Sequence, residues 1–284
     1  MNYEKFKEMV INFITKELKM KTEPVIFPKN NGVKLDGVAV FVQENMGANI
    51  YLEGYYDEFK SGIFTFEEIC EKIKKNIFDT ADEAKEFEKK NLKFCDFKSI
   101  KDKIVFCVIN AARNEELLKS VAHTRFLDLA IIYRIQVKAD NRGIQSMLIQ
   151  NNFLNVWGVT TEELFKWAKL NTPLLRECKI QKLSDMTGIP LPYNVMMLTN
   201  KFSIDGAATM LYPELLQAIA DKAEDDLVII PSSVHEILIY PNSQVEKEMI
   251  NEMIVSVNEE AVDEKDVLSD HTYFYHRLLK QIEM

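Results

Sequence analysis

Apolar residues in this chain come in short runs, each of strand length and each bounded by turn-forming residues. That pattern restricts the fold more than any motif does. Residues 104–109 (Ile-Val-Phe-Cys-Val-Ile) read as a buried strand. Residues 127–137, rich in β-branched side chains, read as another that turns at Asp140-Asn141-Arg142-Gly143 into residues 144–150. After the Asn30-Asn31-Gly32 turn, residues 33–42 read as a strand with a weak point at Gly37, paired across a 44–47 loop with residues 49–53. An apolar run at 195–198, a hairpin around Pro231-Ser232-Ser233 and a last strand at 272–275 complete the set.

Helical periodicity fills the intervals. Phe6, Met9, Val10, Phe13, Ile14 and Leu18 recur at helical spacing. Thr65-x-x-Glu68 and Thr160-x-x-Glu163 are capping boxes. The first opens a helix that buries Phe66, Ile69, Ile73 and Ile77; the second opens a short helix with Leu164, Phe165 and Trp167 on its apolar side. Residues 79–90 read as a charged, solvated helix, and the prolines from Pro173 to Pro192 mark a long connection. Pro213 suits the first turn of a helix ending near Ala223, and residues 244–257 form one more. Short connections favour antiparallel pairing. The predicted class is therefore α+β, with largely antiparallel sheets and helices packed on one face. A length of 284 residues accommodates an N-terminal α+β region, 1–150, and a C-terminal one, 151–284, which can also pack as a single domain.

An apolar fraction of 47% and a charged fraction of 28% belong to a folded chain with a sizeable core. No apolar run reaches the roughly 18 residues needed to span a bilayer, so no membrane role is expected. Met1 to Phe6 carry mixed charge and read as the start of a helix rather than a signal peptide. Cys70, Cys95, Cys107 and Cys178 are irregularly spaced with no C-x-x-C pair, as for reduced thiols in a cytoplasmic protein. The net charge of −9 is concentrated: residues 221–270 hold fourteen acidic side chains against Lys222, Lys247 and Lys265. Nucleic acid is a poor partner for such a chain. An acidic face suits a basic protein surface, or mimics the charge of DNA, or simply keeps the chain soluble.

Several segments resemble an uncharacterised bacterial family, the domain-of-unknown-function family 5688 of Clostridia and related Firmicutes. They are Asn31-Gly32-Val33-Lys34-Leu35-Asp36-Gly37, Phe126-Leu127-Asp128-Leu129-Ala130, Trp157-Gly158-Val159 and Leu198-Thr199-Asn200 with Gly206-Ala207-Ala208. Leu211-Tyr212-Pro213, Pro231-Ser232-Ser233-Val234-His235-Glu236 and Leu268-Ser269-Asp270 belong with them. The similarity runs in order through nearly the whole chain. It implies a full-length member from a Gram-positive anaerobe and no particular activity.

Chemistry-bearing residues crowd the C-terminal end, where three of the four histidines (His235, His271, His276) lie. A serine nucleophile needs a base within hydrogen-bond reach. His235 could approach Ser233 across the hairpin turn, with Asp270 or His271 arriving from the final strand, and Ser233, His235 and Asp270 are the candidate catalytic residues. Against a His235–Glu236 dyad, successive strand residues point to opposite faces. Hydroxyls in such a turn also bond the local backbone most naturally. His271 and His276, five residues apart, have no metal-ligand spacing, so no metal is expected. Asp128 and Arg134 interrupt an apolar strand and need partners if buried; the structural reading is a salt bridge with Arg125 or with a Lys or Glu of a covering helix, the functional one a ligand contact. Gly206-Ala207-Ala208 permits close backbone approach, either to a ligand or at a strand crossing. No phosphate-binding glycine motif is present, and no cofactor is expected. The leading expectation is a cytoplasmic regulatory or interaction protein that binds a protein partner through residues 221–270. The alternatives are a hydrolase-like enzyme built on residues 232–236 and 270–271, and an anti-defence protein that mimics nucleic-acid charge.

Overall fold

The computed structural model describes the backbone of all residues except 44–45, 90–93, 141–142, 189–193 and 245–246, and side chains except at 43–47, 82–93, 141–142, 187, 189–193 and 244–249. Most of the 44–47 loop, the centre of the 140–143 turn, the prolines at 190 and 192 and the start expected for the 244–257 helix therefore lie wholly or partly outside the described residues. The chain is α+β and divides into two compact units, residues 1–29 with 33–92, and residues 30–32 with 93–284. The expected boundary at 150/151 falls inside the second unit.

In the first unit, helix α1 (Tyr3–Asn12) is capped by Asn2, whose side chain accepts from the Lys5 N–H at 3.0 Å. It buries Phe6 and Val10, and the stripe continues to Ile14 in a π-helical turn, Phe13–Glu17. Strands β1 (Lys21–Pro28), β2 (Lys34–Gln43) and β3 (Met46–Tyr51) form an antiparallel sheet in the order β1-β2-β3. β1 escaped the sequence reading because Pro24 and Pro28 argue against a central strand; as an edge strand it tolerates both. Gly37 is required by a close approach, since a Cβ there would lie 2.3 Å from the Ile50 carbonyl oxygen. After helix α2 (Glu53–Lys60) comes α3 (Phe66–Lys89), which runs unbroken into the charged stretch. Its capping box closes as expected: Thr65 N–H donates to Glu68 Oε2 at 2.8 Å and Glu68 N–H to Thr65 Oγ1 at 3.3 Å. Ile69, Ile73 and Ile77 meet Phe6, Val10 and Ile14 over Val38, Val40 and Ile50 on one face of the sheet. Each such side chain contributes about 1.5–3 kcal/mol by leaving water.

The second unit opens with α4 (Phe97–Ile100) and β4 (Ile104–Asn110), a strand apolar up to its last residue and buried throughout. After α5 (Glu115–Leu118), β5 (His123–Phe126) and β6 (Leu129–Asp140) form a hairpin with a two-residue turn, so Leu127 and Asp128 are turn rather than strand. Leu127 takes φ 53°, a region a branched side chain rarely enters, which is why the turn was not legible. β7 (Gly143–Leu148) shares the same edge of β6, and β4 lies on the other. Helix α6 (Asn151–Trp157) ends in Gly158 at φ 65°, and α7 (Thr161–Leu175) begins with its predicted capping box. α7 is longer than expected because Pro173 sits inside it. Its Thr172 hydroxyl accepts the Phe106 N–H at 3.0 Å and its Asn171 amide donates to the Ile104 carbonyl at 3.0 Å, so helix side chains satisfy the free edge of β4.

A six-stranded antiparallel sheet completes this unit. Its members are β8 (Cys178–Lys182), β9 (Met196–Asn200), β10 (Leu227–Pro231), β11 (Ile237–Pro241), β12 (Tyr273–His276) and β13 (Gln281–Glu283), in the order β13-β12-β10-β11-β9-β8. The short helix α8 (Leu183–Thr187), a 3₁₀ segment at Gly206–Leu211, α9 (Leu215–Ala223) and α10 (Lys247–Glu260) lie between them. β8 occupies what reads in sequence as a proline-marked connection; its polar, exposed pattern suits an edge. Pro213 precedes α9 rather than starting it, because Glu214 takes φ 61° just before the helix.

Candidate functional site

Residues 232–236 join β10 to β11 as a loop, so strand alternation does not separate His235 from Glu236. The loop folds on its own polar groups. Ser233 Oγ accepts the His235 N–H at 3.0 Å and donates to Glu236 Oε1 at 2.8 Å, while Ser233 N–H donates to the Glu236 carbonyl. The His235 ring points elsewhere: Nδ1 accepts the Asp205 N–H at 3.2 Å, and Nε2 lies 3.4 Å from Asp266 Oδ1. Gly206 makes this possible. A Cβ there would stand 2.3 Å from the His235 carbonyl oxygen and 2.2 Å from Thr199 Oγ1, so the space opened by the small-residue run is filled by the chain itself. Asp270 is engaged by Arg113 at 3.0 Å and by the Asn258 amide at 2.9 Å. The Ser233 hydroxyl, the His235 ring and the Asp270 carboxylate thus bond different partners, and the one link between Ser233 and His235 runs through the His235 backbone N–H.

Asp128 is the acceptor on which the end of the chain converges. Tyr273 donates its hydroxyl to Oδ1 at 2.7 Å, His271 Nε2 lies 3.2 Å from Oδ2, and Ser269 Oγ donates to Oδ2 at 3.4 Å. His271 Nδ1 faces the Thr272 carbonyl at 2.9 Å, so each ring nitrogen meets an oxygen acceptor. Burial, with the bond to Asp128 adding to it, pushes the Tyr273 hydroxyl far above its usual range. The salt bridge expected for Asp128 with Arg125 or a helical Lys or Glu is therefore replaced by His271 and Tyr273. Arg134 instead donates to Ser146 on β7 at 2.7 Å. Sequence had singled out Asp128 and His271 separately, but nothing local could join residues 143 positions apart.

A third set was not foreseen. Arg176, just past the C-terminus of α7, is completely buried. It donates to Gln136 Oε1 at 2.8 Å and to Asp205 Oδ2 at 3.1 Å, and Tyr212 donates to its carbonyl at 2.6 Å. Burial opposes its charge, but Cys107 and Asp205 beside it outweigh that and hold the guanidinium protonated. The Cys107 thiol donates to Asp205 at 3.2 Å; burial first, then the Asp205 charge, pushes it up to about 12, which removes it as a nucleophile. Arg176 Nη2 has no partner among the described residues, a cost of about 1–3 kcal/mol for a buried polar group. The only signal in sequence was a lone cation in the apolar stretch Pro173-Leu174-Leu175-Arg176.

His276 completes the inventory, with Nδ1 3.1 Å from Asp226 and Nε2 2.5 Å from Glu283; these two contacts raise it above the ordinary 6.5. Among the described residues no group of three or more His, Cys, Asp or Glu side chains could hold a metal ion, and no helix is long and apolar enough to cross a membrane. No curated protein and no solved structure matches the chain. What does match, across nearly its full length, agrees with the resemblance read from its motifs: the chain belongs to the family of unknown function DUF5688, whose model covers residues 3–277.

Proposed function

We propose that the chain is a regulatory or interaction protein that binds a basic protein surface through its acidic C-terminal segment, and specifically through α10. Much of the acidity of residues 221–270 is consumed internally. Asp221 pairs with Arg277, Asp226 with His276, Asp263 with Lys265, Asp266 with His235, and Asp270 with Arg113. The observation that carries the proposal is the outer side of α10. The helix buries Ile250, Ile254 and Asn258, yet leaves Met253 50% and Val257 46% exposed beside the exposed Glu252, Glu259 and Glu260. An apolar strip within an acidic rim suits a partner with an apolar centre and basic margins.

The hydrolase alternative draws no support from the geometry, because the His235 ring is directed to Asp205 and Asp266 rather than to the Ser233 hydroxyl. The charge-mimic alternative needs free carboxylates at phosphate spacing, and five of the acidic groups already pair with Arg, Lys or His side chains of the same chain. A cytoplasmic location belongs to the proposal and is supported by the four cysteines being free. The test is affinity capture from the native host with wild type, His235→Ala and the double variant Met253→Glu/Val257→Lys. One basic partner retained by wild type and His235→Ala, lost with the α10 variant and weakened by salt, is the expected result. Capture indifferent to the α10 changes sinks the assignment.

A further inference from the structure

We infer that the second unit holds a binding site for a small organic anion at the bulged end of β6. A cavity of about 330 Å³ lies there, at the lower end of the range for small-molecule sites. Four consecutive residues, 136–139, line it. A regular strand would send alternate residues to opposite faces. The pairing of β6 with β7 slips between Gln136 and Lys138, inserting Val137 as an extra residue, and this bulge lets one stretch of strand turn toward one space.

The charged residues that line the cavity are all cations: Lys103, Lys138 and Lys201. In a chain of net charge −9, that is a local reversal of sign. Lys138 pairs with Asp140 at 3.2 Å and Lys201 lies 3.7 Å from Glu177, while Lys103 has no ion-pair partner among the described residues. Gln136 adds a directional donor. It is 8% exposed, and its carboxamide oxygen is taken by Arg176 Nε, so the end left over is the NH₂ group, which has no partner among the described residues. Behind it stands the buried guanidinium, whose Nη2 shares an edge with Nε and lacks an acceptor among the described residues. The charge of Arg176 is balanced by Asp205, so it is the lysines and the donors without acceptors among the described residues that select an anion. Phe202 and Leu175 supply an apolar wall, so the ligand is an organic anion with an apolar body rather than a bare ion.

Titration calorimetry on the full chain tests this with three probes: phenyl phosphate, phenylacetate and inorganic phosphate. The stronger of the two organic anions identifies a phosphate or a carboxylate head. It is expected to bind in the millimolar range or tighter, at least about tenfold more tightly than inorganic phosphate. Lys103→Ala and Gln136→Glu are each expected to weaken it about tenfold. Gln136→Glu keeps an acceptor for Arg176, so its thermal unfolding should match or exceed that of wild type, which separates loss of binding from loss of fold. No heat from either organic anion at about 5 mM overturns the inference. So does binding that survives both substitutions, or that is no tighter than for inorganic phosphate.

Discussion

Single residues decide the C-terminal half of this molecule through what surrounds them. At Gly206 the decision is steric. Two oxygens lie where a Cβ would go, one of them backbone that cannot yield cheaply, so Gly206→Ala should destabilise the protein by about 1–3 kcal/mol or more. Urea denaturation measures it, and a midpoint unchanged from wild type would show that the loop relaxes freely. At His276 the decision is electrostatic. Asp226 and Glu283 favour the protonated ring, so its folded value lies above the ordinary 6.5. The stabilisation is fully present below pH 6.5 and is lost as pH rises through the raised folded value. Amide exchange on β12 and β13 should therefore quicken across that window beyond its intrinsic rise. His276→Asn should remove that dependence; if the variant keeps it, another group is titrating.

Elements are held by side chains that satisfy backbone groups at their ends and edges. The α7 capping box joins Thr160 Oγ1 to the Glu163 N–H at 3.3 Å and Glu163 Oε2 to the Thr160 N–H at 3.1 Å. Thr160→Ala should cost about 0.5–2 kcal/mol, measured by chemical denaturation. Further along the same helix, Thr172 links it to β4. Thr172→Val keeps the shape but strands the Phe106 N–H in the interior, for a loss of about 1–3 kcal/mol. If Thr172→Val proved no worse than Thr160→Ala, the edge of β4 would have to find water or another acceptor.

The molecule as a whole presents a graded set of thiols. Cys95 is exposed, whereas Cys70 and Cys107 are buried, with burial pushing them up to about 11 and about 12. A thiol reagent added to native protein should label Cys95 at once and Cys107 only as fast as the second unit opens. Early labelling of Cys107 would mean that the Arg176 set is far less closed than its burial indicates. Buried Cys107 and half-buried Cys178 of the second unit are both raised by burial, so neither serves as a ready nucleophile.

Local pattern alone determined the class, both capping boxes, the buried run of β4 and the hairpin after β10, because each depends on residues within one turn or strand of each other. It also marked Asp128, His271, Gly206 and the acidic segment as positions needing an explanation. It misplaced Leu127, whose positive φ is imposed by the hairpin, and it passed over β1 and β8, whose prolines and polar residues are acceptable only at a sheet edge. Which histidine meets which carboxylate was decided by tertiary structure. The His235 ring goes to Asp266 rather than to the Ser233 hydroxyl, and Asp128 gathers His271 and Tyr273, because a hydrogen bond depends on distances of about 3 Å that chain folding sets between residues far apart in sequence. The cationic cavity follows the same rule: Gln136 and Lys138 come from β6 while Lys103 and Lys201 lie far from them in sequence, and only the bulge in β6 and the packing of α7 bring them to one space.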